Sequence, residues 1–289
     1  MFEGFERSRI HANGVELNVR HGGSGPPLLL LHGYPQTHAM WRKVAPRLAE
    51  RFTLVMPDLR GYGDSAKPRG TPDHATYSKR EMARDQVALM HALGFERFRV
   101  AGHDRGGRVT HRLALDHPAC VERVAVLDIV PTRTMYLKTN RTFAKGYYHW
   151  FFLIQPEPFP ETLIAANPEA YLRHHMGGRH AGLDPFMPDA WPEYVRCFSE
   201  PACIHATCED YRAAESIDLE HDEADLDRRI DAPFLVLWGR HGMIERCFDG
   251  IADWREHAPR VQGQALDCGH YLPEERPDET AAALEAFFA

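Results

Sequence analysis

One short run of the sequence has both the residue types and the spacing for covalent chemistry: Gly102-His103-Asp104-Arg105-Gly106-Gly107-Arg108. Gly102-x-Asp104-x-Gly106 is the nucleophile-elbow spacing G-x-S-x-G with aspartate in the serine position. Small flanking residues suit a turn too tight for a Cβ. The turn lifts one side chain to the head of the following helix, where the helix dipole favours an anion. An aspartate at a helix start is also an ordinary N-cap, so both readings stand on this segment alone. The choice of aspartate limits the chemistry. A serine that attacks a saturated carbon leaves an ether, which water does not cleave under mild conditions. An aspartate leaves an ester, which activated water can hydrolyse. The expected substrate carries a leaving group, a halide or an epoxide oxygen, on an sp³ carbon.

Elements on either side must position this turn. Ile10, then Asn13-Gly14, then Val15, Leu17 and Val19 read as a hairpin over 7–20. Leu28-Leu29-Leu30-Leu31 reads as a buried strand, and Thr53 to Pro57, Phe98 to Gly102, Val124 to Leu127, Phe234 to Trp238 and residues 261–266 as further strands. Ser78-Lys79-Arg80-Glu81 is a capping box ahead of a helix that Gly94 ends. Further helices are expected from about Gly107 to Asp116 and near 277–288. Strands alternating with helices give an α/β protein with a mostly parallel, doubly wound sheet. Residues 131–228 break the alternation. Eight prolines fall within 150–201, among aromatics and histidines. Short helices and loops are expected there, inserted over the sheet. The expected division is a core of 1–130 and 229–289 with a helical cap of 131–228.

Composition narrows the partners. Of 289 residues, 34 are Lys or Arg and 41 Asp or Glu, a net charge of -7, and only five of the 34 are lysine. No basic block is present to neutralise phosphates, so no nucleic-acid partner is expected. No apolar run is long enough to span a membrane, and none is expected to. The start, Met1 to Arg7, lacks the apolar core of a signal peptide. The six cysteines are then expected as reduced thiols in the cytoplasm. Cys203, His205 and Cys208 lie close together, but without a CxxC pair no metal site is expected. His174, His175 and His180 read as surface or cap histidines.

Four segments together carry a resemblance. His32-Gly33-Tyr34-Pro35 follows the first buried strand, and Asp58-Leu59-Arg60-Gly61-Tyr62-Gly63-Asp64-Ser65 the second. Cys268-Gly269-His270-Tyr271 follows the last. With the elbow, they resemble the α/β-hydrolase fold over essentially the whole chain, and 131–228 matches its cap domain. The resemblance implies Asp104 as nucleophile and His270 as base, in the order nucleophile, acid, histidine. The usual acid position is Gly242, which cannot serve. The alternative position, at the end of the preceding strand, is Asp128, and a carboxylate closing an apolar strand needs a partner. Asp128 is assigned to orient His270, with Glu245 as the second candidate. Backbone N–H groups of Tyr34 and Arg105 are expected to form the oxyanion hole.

In aspartate-nucleophile dehalogenases and epoxide hydrolases a tryptophan usually follows the nucleophile. Here Arg105 does, with Arg108 one helical turn on. The pair implies a small anionic substrate gripped bidentately through its carboxylate, or else charge balance for Asp104. The run Asp104-Arg105-Gly106-Gly107-Arg108 closely resembles the haloacetate dehalogenases. That resemblance implies halide donors at His149, Trp150 and Tyr211, and fluoroacetate as the preferred 2-haloacid. Fluoride is strongly hydrated, so N–H and O–H donors must replace its water. The family also implies a homodimer, and no cofactor is expected. Two alternatives remain: the same mechanism on an epoxide, with Tyr147, Tyr148 and Tyr211 as candidate activators, and a non-catalytic ligand-binding scaffold. Trp191 is open between lining the substrate entrance and packing.

Overall fold

The computed structural model describes residues 1–289. Its centre is one sheet of eight strands: β1 (Glu6–Ala12), β2 (Val15–Gly23), β3 (Pro27–Leu31), β4 (Thr53–Pro57), β5 (Phe98–His103), β6 (Val121–Leu127), β7 (Phe234–Gly239) and β8 (Val261–Leu266). The spatial order is β1-β2-β4-β3-β5-β6-β7-β8. The pairs β1–β2 and β2–β4 are antiparallel and every other pair is parallel. The expected hairpin is the β1–β2 pair, with Asn13 and Gly14 both at positive φ (49° and 78°), as a tight two-residue turn requires.

The apolar strands are explained by cover on both faces. Along β3, Leu29 and Leu31 enter the larger apolar core while Leu28 and Leu30 enter the smaller one. Val124 and Val126 of β6 likewise face away from Ala125 and Leu127. The helix Lys79–Ala92 begins at Ser78, whose side chain accepts from the Glu81 N–H, and Gly94 follows it at φ 85°. The elbow helix runs Arg105–Asp116 and the last helix Pro277–Phe288.

Between β6 and β7 the regular structure is entirely helical, from Thr132–Leu137 to Ile217–Ala224. The segment is not made only of short helices: Pro201–Glu215 has 15 residues, with Pro201 at its first turn, where a missing N–H costs nothing. Phe143, Trp150, Tyr194 and Tyr211 from this segment belong to the same apolar core as Val100 and Val126 of the sheet. No helix is long and apolar enough to cross a membrane. The six cysteines are unbridged.

Candidate active site

The site gathers at the C-terminal ends of the parallel strands, where an open α/β sheet offers a crevice. Asp104 leaves β5 at φ 47° and ψ -113°, a conformation few non-glycine residues adopt. Its side chain does not cap the helix. The N-cap reading therefore fails, and the carboxylate is held up for another purpose. The turn is tight enough that a Cβ on Gly106 would lie 2.3 Å from the His32 carbonyl oxygen. A Cβ on Gly33 would lie 2.5 Å from Asp104 Cβ.

The two oxygens of Asp104 have different surroundings. Oδ1 accepts the Tyr34 N–H at 2.9 Å. The Arg105 N–H, the other expected donor, makes no hydrogen bond to the carboxylate. Oδ2 faces His270 Nε2 at 3.9 Å, beyond hydrogen bonding. Burial alone would raise the Asp104 pKa, but His270, His103, Arg105 and Arg108 outweigh it and hold it below the usual value. It is an anion at neutral pH.

Asp128 and His270 meet as the sequence reading expected. His270 Nδ1 lies 2.6 Å from Asp128 Oδ2, and the Gly239 N–H donates to Oδ1 at 2.9 Å. Asp128 sits at φ 52° just past β6. A Cβ on Gly242 would lie 3.3 Å from Asp128 Oδ1, so the usual acid position opens directly onto the carboxylate that replaces it. Glu245 is excluded: it is exposed and bonded to Trp238 Nε1 at 2.5 Å. Burial penalises the charged forms of both partners. It pushes Asp128 up to about 7 and pulls His270 well below the ordinary histidine value. His103 is a support: its Nε2–H donates to the His270 carbonyl at 2.8 Å.

The arginines are less free than expected. Arg105 is fully buried and gives Nε (3.1 Å) and Nη2 (2.7 Å) to Asp210, leaving Nη1 unpartnered. Arg108 gives Nη1 to Thr132 Oγ1 (2.9 Å) and the Val130 carbonyl (3.2 Å), and Nη2 to Met135 Sδ (2.7 Å), leaving Nε unpartnered. A bidentate grip by either guanidinium is thus corrected to one free nitrogen from each. Burial and the Arg105 charge pull Arg108 down to about 10, so it still carries its charge at neutral pH.

The expected halide donors stand beside these nitrogens. The Tyr211 ring lies 4.2 Å from the Arg105 guanidinium carbon and the Trp150 ring 4.6 Å from that of Arg108. Trp150 Nε1 and Tyr211 OH are buried without a partner. His149 packs 5.6 Å from Tyr211, ring to ring. Burial first, then the His175 and Arg179 charges, hold its pKa well below the ordinary value, so it is neutral.

Sequence reading missed several members. Asp210, one position before Tyr211, is fully buried and also binds Lys79 Nζ and Tyr62 OH (2.5 Å). Burial alone would raise Asp210, but Arg105 and Lys79 hold it well below the carboxylate range. Tyr147 OH lies 3.2 Å from His270 Nδ1, whose proton goes to Asp128. Of the surface and cap alternatives for His175 the cap one holds: it is buried 4.5 Å from the His149 ring. Trp191 is buried beneath Arg173, a packing position. His205 faces not the cysteines but Glu157 (3.7 Å) and Glu161 (3.8 Å), and its Nε2 accepts the Gly70 N–H at 3.3 Å.

This geometry agrees with what the chain resembles. A family model for the alpha/beta hydrolase fold matches residues 26–277, and the chain belongs to that family. It is 48% identical to a fluoroacetate dehalogenase of Burkholderia sp, over 100% of this chain and 95% of the relative. That match places it among the haloacetate dehalogenases, hydrolases of carbon–halide bonds. It is also 35% identical to a soluble epoxide hydrolase of Corynebacterium sp. (strain C12), over 96% and 95% of the two chains. A solved α/β-hydrolase structure from Nostoc sp PCC 7120 superposes with a TM-score of 0.99 at 57% identity, covering 100% of this chain and 99% of that one.

Proposed function

We propose that the protein hydrolyses short 2-haloacids to 2-hydroxyacids and halide, with fluoroacetate to glycolate as the preferred reaction. The observation that carries this reading is a set of four buried donors without partners: Arg105 Nη1, Arg108 Nε and Tyr211 OH, whose residues feel the Asp104 charge, and Trp150 Nε1, whose ring packs on Arg108 and Tyr211. Unpaired buried donors cost about 1–3 kcal/mol each, so a protein keeps a cluster of them where an acceptor will bind. Two carry positive charge and suit a carboxylate. The other two are neutral and suit a departing halide, with His149 beside them.

The roles follow from the two oxygens of Asp104. Oδ2 is free and attacks Cα in line, forming an ester and expelling halide toward Trp150, Tyr211 and His149. Oδ1 becomes the ester carbonyl oxygen, already on the Tyr34 N–H. Water between His270 Nε2 and the new ester loses a proton to His270 and attacks the carbonyl carbon. The resulting oxyanion forms on Oδ1, where the Tyr34 donor is pre-placed. Asp128 holds the His270 tautomer that leaves Nε2 free. The helical region 131–228 serves as the cap, supplying the halide donors and covering the site from water.

The second reading, an epoxide hydrolase, is favoured by the Corynebacterium relative. It requires cap tyrosines that donate to the ring oxygen. Tyr147 OH sits on the Nδ1 side of His270, away from the Nε2 edge that faces Asp104, and Tyr148 is only half buried, which leaves Tyr211 alone. Beyond the reaction, the unbridged cysteines support a reducing compartment, the cytoplasm. The family resemblance supports a homodimer, which light scattering tests.

The deciding experiment is fluoride release from fluoroacetate, with chloroacetate and styrene oxide in parallel. Turnover of both haloacids without styrene oxide supports the proposal. Styrene oxide turnover without halide release overturns it in favour of the second reading.

A further inference from the structure

A third arginine outside the Asp104 turn commands the way in. A cavity of about 320 Å³ opens between the end of the cap helix Pro168–Gly177 and the loops after β7 and β8. Its inner end is His270, and Gly178, Arg179, His180, His241 and Arg246 line it. No acidic side chain lines it. His180 and His241 stack across its rim with ring centroids 4.2 Å apart.

Arg179 is the innermost of its cations. Its guanidinium lies over the faces of Tyr147 (4.9 Å) and Tyr271 (5.5 Å). Nη2 meets His175 Nε2 at 3.4 Å, and Nε is buried without a partner. No carboxylate pairs with it. The contrast with Arg105, locked to Asp210, is instructive. A cation held by two neutral tyrosines and one long contact, with no carboxylate partner, keeps most of its field for an arriving anion.

Charge balance points the same way. Arg105 and Lys79 are offset by Asp210 and Asp218. Asp104 and Asp128 remain as anions above neutral pH, with Arg108 and Arg179 opposite them. Without Arg179, the site would be net negative before a haloacid carboxylate arrived. A site that must admit an anion next to an aspartate nucleophile needs that second positive charge.

We propose that this cavity is the anion doorway of the site and that Arg179 is the positioning residue that captures the substrate carboxylate and passes it to Arg105 and Arg108. The proposal rests on the haloacid reading, but it is tested separately from it. Acetate carries the carboxylate without a leaving group, so its binding, followed by tryptophan fluorescence, needs no turnover. Arg179→Gln should weaken acetate binding about tenfold, roughly 1.4 kcal/mol, and flatten its dependence on ionic strength. Arg179→Lys, which keeps the charge, should retain most of the affinity. With chloroacetate, Arg179→Gln should raise KM about as much while kcat falls less. Acetate binding by Arg179→Gln within twofold of wild type would overturn the proposal, as would Arg179→Lys binding no better than Arg179→Gln. If neither Arg179→Gln nor Arg179→Met folds, the arginine is structural and the proposal falls. If wild type binds acetate but turns over no haloacid, the reaction assigned above fails while the doorway stands.

Discussion

In the proposed mechanism the His270–Asp128 pair sets the working pH. Burial brings Asp128 up to about 7 and disfavours protonated His270, so the pair takes up a single proton as pH falls through neutrality. Whichever atom binds it, Nε2 ceases to be a free base. A proton on imidazole makes imidazolium. A proton on Asp128 turns Nδ1 into the acceptor and moves the ring proton to Nε2. Ester hydrolysis should therefore fall as pH drops through about 7 and be fully active above it. Steady-state kcat from pH 5 to 9 checks this, and a flat profile to pH 5 contradicts it. Asp128→Asn should lower kcat by about 10³–10⁴-fold, since the amide fixes the wrong tautomer. These residues were legible because each falls in a short motif at a strand end. Asp128 was found by elimination, once Gly242 could not serve. Asp210 was not legible. It pairs with Arg105 and Lys79 across long stretches of sequence, and nothing local marks a helical aspartate as buried.

At the scale of elements, the sheet and the cap contribute differently. β3, β5, β6 and β8 deliver Tyr34, Asp104, Asp128 and His270 from their C-terminal ends. The helix Pro201–Glu215 brings Tyr211 over them and fixes Arg105 through Asp210. Asp210→Asn should leave buried cations undercompensated and cost about 3–5 kcal/mol in urea unfolding. Activity should fall with it as Arg105 loses its anchor. A variant as stable and active as wild type would show that Asp210 does not hold the cap to the core. The inner strands β3 to β7 were readable because cover on both faces makes them continuous apolar runs, whereas β1 and β8 are largely exposed and the β1–β2 hairpin was readable from its Asn13-Gly14 turn. Bounds such as Thr53–Pro57 follow directly from that cover. The cap was harder to read. Its prolines signalled interruption, but Pro201 opens the longest helix of the segment rather than breaking one. His175 was read as a surface or cap histidine, and only the cap alternative holds: its burial comes from Tyr34 and His149, which lie on other elements and leave no local mark.

For the whole molecule, net charge is a poor guide to the ligand. A chain of formal charge -7 sets the charges of Arg105 and Arg108 on Asp104 and places Arg179 in the cavity that reaches His270. Arginine suits that position, since it keeps its charge when buried and stacks on aromatic faces, as Arg108 does on Trp150 and Arg179 on Tyr147. In the proposed mechanism these cations and the His270 base supply the charge stabilisation and proton transfer that the reaction needs. Prolonged dialysis against EDTA should therefore leave haloacetate turnover unchanged, and activity restored only by added metal would contradict this.

The central claim is a covalent ester on Asp104, and mass spectrometry of a His270→Asn variant incubated with fluoroacetate tests it most directly. Attack needs only Asp104 and the halide donors, whereas release needs the base. The variant should release one equivalent of fluoride and gain one carboxymethyl group, mapped to the peptide that contains Asp104. Sustained glycolate formation with no adduct, or an adduct on a different residue, would contradict the account.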